Sequence, residues 1–508
     1  MKRFESWADR PAVSAADLAV FRVLFAVTML LLLPTARFAR ELPETGFAPP
    51  PGPFALLPSY PPDAVVIGFE IVTAAALVVL ALGWRTPQAS VASGLLLLVV
   101  TGLHNSFGQV DHVAMFGAIP VILSASGWGN ARSLDASQGR QHVERPWTQR
   151  LLALTIGVAF LVAAIPKIES GWLELQTQAA HGHLLRRVLA GDNTGPLGDL
   201  IAGRGPWLIW ESLDWMTIGL EVFVILSVVA WRSFRLGVAF AAIFHGLVLV
   251  LLGIPFPAAT LAYAAFIPWT RLPLLRTALP RAFPGPVPTP LALIAVPIGG
   301  AGAWSLAALG PDFGVIVAVV VVLAGTVAGA IVLGIVAGRL VGRVRSWSPE
   351  NRARARVWAA RIVAVALLGV LPAQYFLFAR VGETYPALQQ PGFSQPRLSD
   401  GELRFSNVPV IVVTFDDGTT ESPSGGKVLP SPLLQQSVIF RNLFKDKDGA
   451  RRPEVVAWLE GRLAELYPGR TPVKFRIGWS TIYRDAFSGD VIRVKERYDV
   501  VVDLGPGR

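Results

Sequence analysis

Leu151-Leu152-Ala153-Leu154-Thr155-Ile156-Gly157-Val158-Ala159-Phe160-Leu161-Val162-Ala163-Ala164-Ile165-Pro166-Lys167 decides the fold class, because no charge interrupts it before its last residue. Runs of this kind approach the roughly 20 apolar residues that a helix needs to cross the hydrocarbon core. Working outward, similar blocks fall near residues 16–39, 62–84, 88–104, 111–128, 150–168, 210–231, 235–254, 257–270, 289–309, 313–338 and 357–379. Only 16% of the chain is charged, and its mean hydropathy is +0.51. The expectation is an all-α polytopic membrane bundle of about 9–11 transmembrane helices.

The lysine that closes the quoted run is costly to keep charged beside hydrocarbon, so a buried Lys167 can act as a neutral base. The competing reading is that its ammonium snorkels to the interface, which costs little at a helix end. Ile168, Glu169 and Trp172 follow at once. Glu169, two positions on, projects to another side of the helix and receives no role.

The formal charge of +10 consists mainly of arginines set between apolar blocks, as the positive-inside rule requires, so no nucleic-acid partner is implied. Arg85, Arg132, Arg140, Arg145, Arg150, Arg232, Arg235, Arg271, Arg276, Arg281 and the arginines of 339–361 fall on the side of the N-terminus. That side is then cytoplasmic. The connections 41–61, 104–111 and 168–206 are extracytoplasmic, although Arg186, Arg187 and Arg204 run against the rule in the last. This long connection, with His181 and His183, suits a re-entrant or interfacial helix. Lys2, Arg3 and Arg10 precede the apolar residues 18–33 without a clear small-residue cleavage site, which reads as a retained first helix. Arg22, Asp214 and Glu221 are ionisable groups near or inside spans, and an Arg22–Glu221 pair would neutralise two costly charges. With no cysteine, disulfides, thiolate catalysis and cysteine metal sites are excluded. A composition rich in arginine, alanine and proline, without N-glycosylation sequons, suits a multi-pass protein of a bacterial plasma membrane.

Beyond residue 390 the composition turns polar. Alternating stretches at 403–415, 473–482 and 491–504, with an amphipathic helix at 453–466, predict a small α+β extracytoplasmic domain. The organisation expected is therefore 1–280 and 281–390 in the membrane and 391–508 outside it. Asp416-Asp417-Gly418 reads as a turn rather than a cation site, and no metal is predicted. The small residues of 324–338 read as close helix packing.

Four segments carry a family resemblance. Arg10-Pro11 followed by Ala16-Asp17-Leu18-Ala19-Val20-Phe21-Arg22-Val23-Leu24-Phe25 is similar to an opening "RP…LAVFRxLFG" helix. Val110-Asp111-His112-Val113 with Ser133-Leu134-Asp135-Ala136 resembles an "NH…SxD" pair. Phe160 through Lys167 to Trp172 resembles "YFIAGxxKLxxxW", and Phe244-His245 resembles "YFH". In this order, over residues 10 to about 270, they resemble the vitamin K-dependent gamma-carboxylase family and its wider relatives, the HTTM (horizontally transferred transmembrane) domain proteins.

The resemblance implies that Lys167 and His112 are catalytic, the lysine as base and the histidine as its hydrogen-bonding partner, with His245, Asp111 and Trp172 as candidate residues of a substrate or quinone pocket. It implies a reduced lipid quinone of vitamin K or menaquinol type, with O2 and CO2 as co-substrates. The quinol, deprotonated and oxygenated, yields a base that abstracts a proton, and carboxylation of a peptide or small molecule at the extracytoplasmic face follows. Duller readings stand beside these: His112 caps a helix with Asp111, and His245 satisfies a neighbour within its own helix. Asp111 replaces the family's asparagine, Pro166 replaces a second lysine, and the C-terminal domain is short, all of which argue against a clotting-factor type of carboxylase. The alternative is a non-catalytic membrane scaffold or peptide-maturation and export partner that docks through its C-terminal domain.

Overall fold

The computed structural model describes residues 7–272 except 9, 36, 108–112, 176, 191–193, 204 and 205, and residues 393 and 398–505 except 400, 430–432, 445, 446 and 487. The candidate spans at 289–309, 313–338 and 357–379, and the small-residue block at 324–338, lie outside these residues.

The bundle is built from helices α1 (Ala15–Leu31), α2 (Asp63–Leu82), α3 (Thr86–His104), α4 (Ala114–Leu123), α5 (Trp147–Glu169), α6 (Ala179–Ala190), α7 (Trp207–Ser227), α8 (Trp231–Leu252) and α9 (Pro257–Ala264). The first begins in a reciprocal cap. The Ser14 hydroxyl accepts the Asp17 amide, and the Asp17 carboxylate accepts the Ser14 amide. Helices α2, α3, α5 and α8 have both the length and the apolarity of membrane spans. Helix α7 matches them in length at 21 residues but carries Glu211, Asp214 and Glu221.

Two expected spans are shorter than their apolar runs. The blocks near 111–128 and 257–270 contain α4, of 10 residues, and α9, of 8. At 1.5 Å per residue these reach only about 15 and 12 Å, roughly half the hydrocarbon thickness. After Leu123 the chain turns instead of continuing as helix. Hydropathy registers the apolar surface of such a segment but not its interruption.

Close packing is visible where α3 meets α4. A Cβ on Gly94 would lie 2.6 Å from the Gly117 carbonyl oxygen, and one on Gly117 would lie 2.7 Å from the Gly94 oxygen. Only glycine allows two backbones to approach this closely. The bundle core unites Phe21, Phe25, Leu77, Leu152, Val224 and Phe234 from four helices and the start of α8 into one cluster.

The pair expected between Arg22 and Glu221 does not form. Arg22 is fully buried, and its guanidinium donates to the carbonyls of Trp128 (3.3 Å) and Arg132 (2.5 Å). The turns after α4 leave these carbonyls free of helical partners, so backbone rather than a carboxylate takes both terminal nitrogens of the arginine. Asp135 of the Ser133-Leu134-Asp135 motif also has a structural task. It accepts hydrogen bonds from the Arg85 amide (3.0 Å), the Thr86 amide (2.7 Å) and the Thr86 hydroxyl (2.8 Å) at the start of α3, and its Oδ2 lies 2.9 Å from His142 Nε2.

The C-terminal residues form an antiparallel sheet in the order β1-β2-β4-β5, with β3 paired to β2. The strands are β1 (Leu398–Ser399), β2 (Glu402–Phe415), β3 (Thr420–Glu421), β4 (Pro472–Asp485) and β5 (Val491–Asp503). Helices α10 (Leu433–Phe444) and α11 (Pro453–Leu466) share a core with it, where Phe440, Phe444, Leu459 and Phe475 meet. The expected turn at Asp416-Asp417-Gly418 is present, with Gly418 at φ +78° and the Asp417 carboxylate accepting the Thr419 amide at 2.9 Å. This unit rests on the bundle at two places. Leu443 joins Ala39, Leu103 and Phe107 in one cluster, and Leu184 and Leu185 of α6 join Leu398, Leu403 and Phe405 in another.

Candidate active site

Lys167 lies in the last turn of α5, just after Pro166. The proline removes one rung of the hydrogen-bond ladder, to the Val162 carbonyl, and the helix nevertheless runs on to Glu169. It then stops at Gly171, whose φ of +90° is a conformation that side chains rarely tolerate. The Gly171 amide donates to the Ile168 carbonyl (3.3 Å) and the Trp172 amide to the Lys167 carbonyl (3.1 Å). This is the paired closure of a Schellman end, and it folds Trp172 back over the last turn. The indole ring centre lies 5.6 Å from Lys167 Nζ. The spacing from Lys167 to Trp172 is thus explained by the geometry of one helix terminus.

The amine does not snorkel. Lys167 and Glu221 are each only 4% exposed, and Lys167 Nζ donates to Glu221 Oε1 at 2.5 Å and to the Ala163 carbonyl at 3.2 Å. Along the sequence nothing pairs Lys167 with an acid of another span, whereas the fold places the Glu221 carboxylate directly on it. The two charges neutralise one another in the apolar wall, and passing the proton from nitrogen to oxygen within the pair leaves it neutral as well. Glu221 Oε2 and Trp172 Nε1 are buried and have no hydrogen-bond partner among the described residues.

Lys167, Glu221 and Trp172 line a cavity of about 470 Å³ between α5, α7 and α8. Its walls are mainly apolar and aromatic. His245 of α8 belongs to them, its ring stacked on Phe256 (4.6 Å between centroids) and Phe160 (5.8 Å), with Tyr263 Oη 3.4 Å from Nδ1. Met216, Phe240 and Leu247 also line the cavity and are exposed, Met216 to 67%. The opening is therefore sideways, between α7 and α8, on the apolar flank of the bundle.

Helix α6 closes the end of the cavity nearest Lys167 with His183 and Leu184. Two carboxylates of α7 hold its N-terminus. Asp214 accepts the amides of Ala179 (2.6 Å) and Ala180 (2.8 Å), and Glu211 accepts that of Gln178 (3.0 Å). Acids at a helix start satisfy donors that the helix itself leaves unpaired. The His181 ring stacks on Trp210 at 4.3 Å, and its Nε2 lies 2.7 Å from the Ala202 carbonyl. Burial pushes the His181 imidazole below its ordinary value, against the opposing pull of that hydrogen bond.

Of the residues singled out in the sequence, Lys167, Trp172, His245 and Glu221 come together on one cavity, and Arg22 stands apart from it. Asp111 and His112 lie outside the described residues. The sequence reading missed Glu221 as the partner of Lys167, and Glu211 and Asp214 as the anchor of α6. A signal was present: acids at 211, 214 and 221 share one face of an otherwise apolar helix, a pattern that calls for buried partners.

These features define a helical membrane protein with a buried lysine–glutamate pair beside a cavity that opens on its apolar flank. The family model of the HTTM domain matches residues 10–270, and the chain belongs to that family. No curated protein and no solved structure matches the chain.

Proposed function

We propose that this chain is an integral-membrane enzyme of the gamma-carboxylase-like type, in which oxygenation of a lipid quinol is coupled to proton abstraction from, and carboxylation of, a peptide or small molecule at the extracytoplasmic face. The observation that carries this reading is the Lys167–Glu221 pair, buried at 2.5 Å beside an apolar cavity with a sideways opening. A volume of about 470 Å³ is in the range of small-molecule sites. Its aromatic walls and single polar end fit a fused-ring head group with an alkyl tail leaving between α7 and α8. When bound, a reduced quinone would supply, with O2, the strong base that the side chains here lack, and CO2 would supply the carbon that is added.

The residues themselves do three things. The Lys167–Glu221 pair takes a proton from the head group, and the positive charge it gains lies against the anion that forms on the ligand, so the apolar wall holds no uncompensated charge. Trp172 and His245 hold the ring plane by their aromatic faces. Helix α6 and the aromatic lining keep water away from a reactive centre.

The test is epoxide formation from reduced menaquinone by the purified full chain under oxygen. Wild type is expected to turn over and Lys167→Ala to lose turnover by at least about a hundredfold, the usual effect of removing a general base. Equal rates would discard the assignment. The second reading, a scaffold that docks partners through its C-terminal unit, is favoured by the packing of that unit on α6. It predicts that Lys167→Ala leaves function intact while removal of residues 395–508 abolishes it.

A further inference from the structure

We propose that Glu221 makes the cavity selective for a head group that donates a hydrogen bond, so that a long-tailed phenol or hydroquinone is preferred to the corresponding quinone, ether or carboxylate. This rests on the reading of the cavity as a quinol site and deepens it.

Two unmet needs sit at the polar end of an otherwise apolar chamber. Glu221 uses only Oε1, on Lys167, while its Oε2 is buried with no partner among the described residues. Trp172 Nε1 is buried and likewise unpartnered. Both side chains line the cavity, and a small shift of either one on ligand entry turns its unpartnered atom toward the bound head group. An ionised or proton-sharing carboxylate oxygen demands a donor, and an indole N–H demands an acceptor. A hydroxyl is the smallest group that supplies both. A quinone oxygen or a methyl ether satisfies Trp172 alone and leaves Glu221 facing a second acceptor. A fatty-acid carboxylate adds like-charge repulsion. The rest of the lining contributes ring surface, chiefly Phe160, His245 and Phe256, which suits an aromatic head and does not discriminate between oxidation states. Selectivity for the reduced form then falls to one carboxylate oxygen.

The experiment is calorimetric titration of the full chain in lipid nanodiscs with a naphthol bearing a farnesyl-length tail and with its O-methyl ether, neither of which can turn over as a quinol. Wild type is expected to bind the naphthol about tenfold or more tightly than the ether, the usual scale for a hydrogen bond to a charged group. Glu221→Met should lose naphthol affinity to near that of the ether. The double variant Lys167→Met/Glu221→Met should do the same without stranding a buried charge, so a folding failure of the single variant does not hide the result. Trp172→Phe should weaken both ligands alike. Equal binding of naphthol and ether by wild type, or a preference that survives in the double variant, overturns the role of Glu221 while leaving quinol turnover possible. Binding of neither compound overturns the role of Glu221 and the quinol reading together.

Discussion

At Lys167 and Glu221 the bundle has put its most expensive groups side by side, and the arithmetic of that choice is testable. Removing one member of a buried pair typically costs about 3–5 kcal/mol, because the other is left uncompensated, whereas removing both is often nearly neutral. Lys167→Met should therefore lower the thermal midpoint of the purified protein clearly, and Lys167→Met/Glu221→Met should restore most of the loss. A double variant no more stable than the single one would mean that the pair contributes little. The sequence made Lys167 conspicuous, since a cation closing an apolar run stands out by itself. It did not reveal the partner, because which acid meets which base depends on the crossing of α5 and α7 and not on spacing along either. Arg22 shows the same blindness from the other side: backbone carbonyls, which the sequence does not display as ligands, take both its terminal nitrogens.

At the level of elements, α6 depends on anchors that do not belong to it. Replacing Asp214 with alanine takes away the acceptor of the Ala179 and Ala180 amides and is expected to cost about 1–2 kcal/mol, the range found for lost helix caps. The loss should be read as faster amide hydrogen exchange at 178–182, with exchange in α5 unchanged; uniform exchange across both helices would contradict it. The imidazole of His181 adds a pH dependence. Its folded-state value lies below the ordinary 6.5, so its contribution is present above that pH and is lost as pH falls below it. The protection of the α6 amides, that is exchange corrected for its intrinsic pH dependence, should fall below about pH 6.5 in wild type and not in His181→Phe. Helix 453–466 was readable to the residue, as its amphipathic pattern is bounded by Pro453 and by the Tyr467 end. Helices α4 and α9 were over-read as spans, since apolar composition persists through turns where the helix does not.

Across the whole molecule, the connections before α2 and after α3 and the helix α6 share one end of the bundle with the sheet unit. We propose from the arginine pattern that this end faces the outside. A chain without cysteine makes that assignment easy to check by single introduced thiols. Leu56→Cys, at a site 85% exposed, and Asp417→Cys should both react with an impermeant maleimide on intact cells, and Gly139→Cys should react only after lysis. The opposite labelling would invert the proposed orientation. The strands of the sheet were legible from alternation, but their seat on the bundle was not, because Leu184 and Leu403 advertise only that they are apolar. Leu184 also lines the cavity, and the same cluster holds Trp210 and Leu213, which line it too. Part of the chamber's wall is thus the underside of a seam with another unit. Grafting a foreign C-terminal unit onto this bundle would recast the chamber itself, so the two halves are not interchangeable parts.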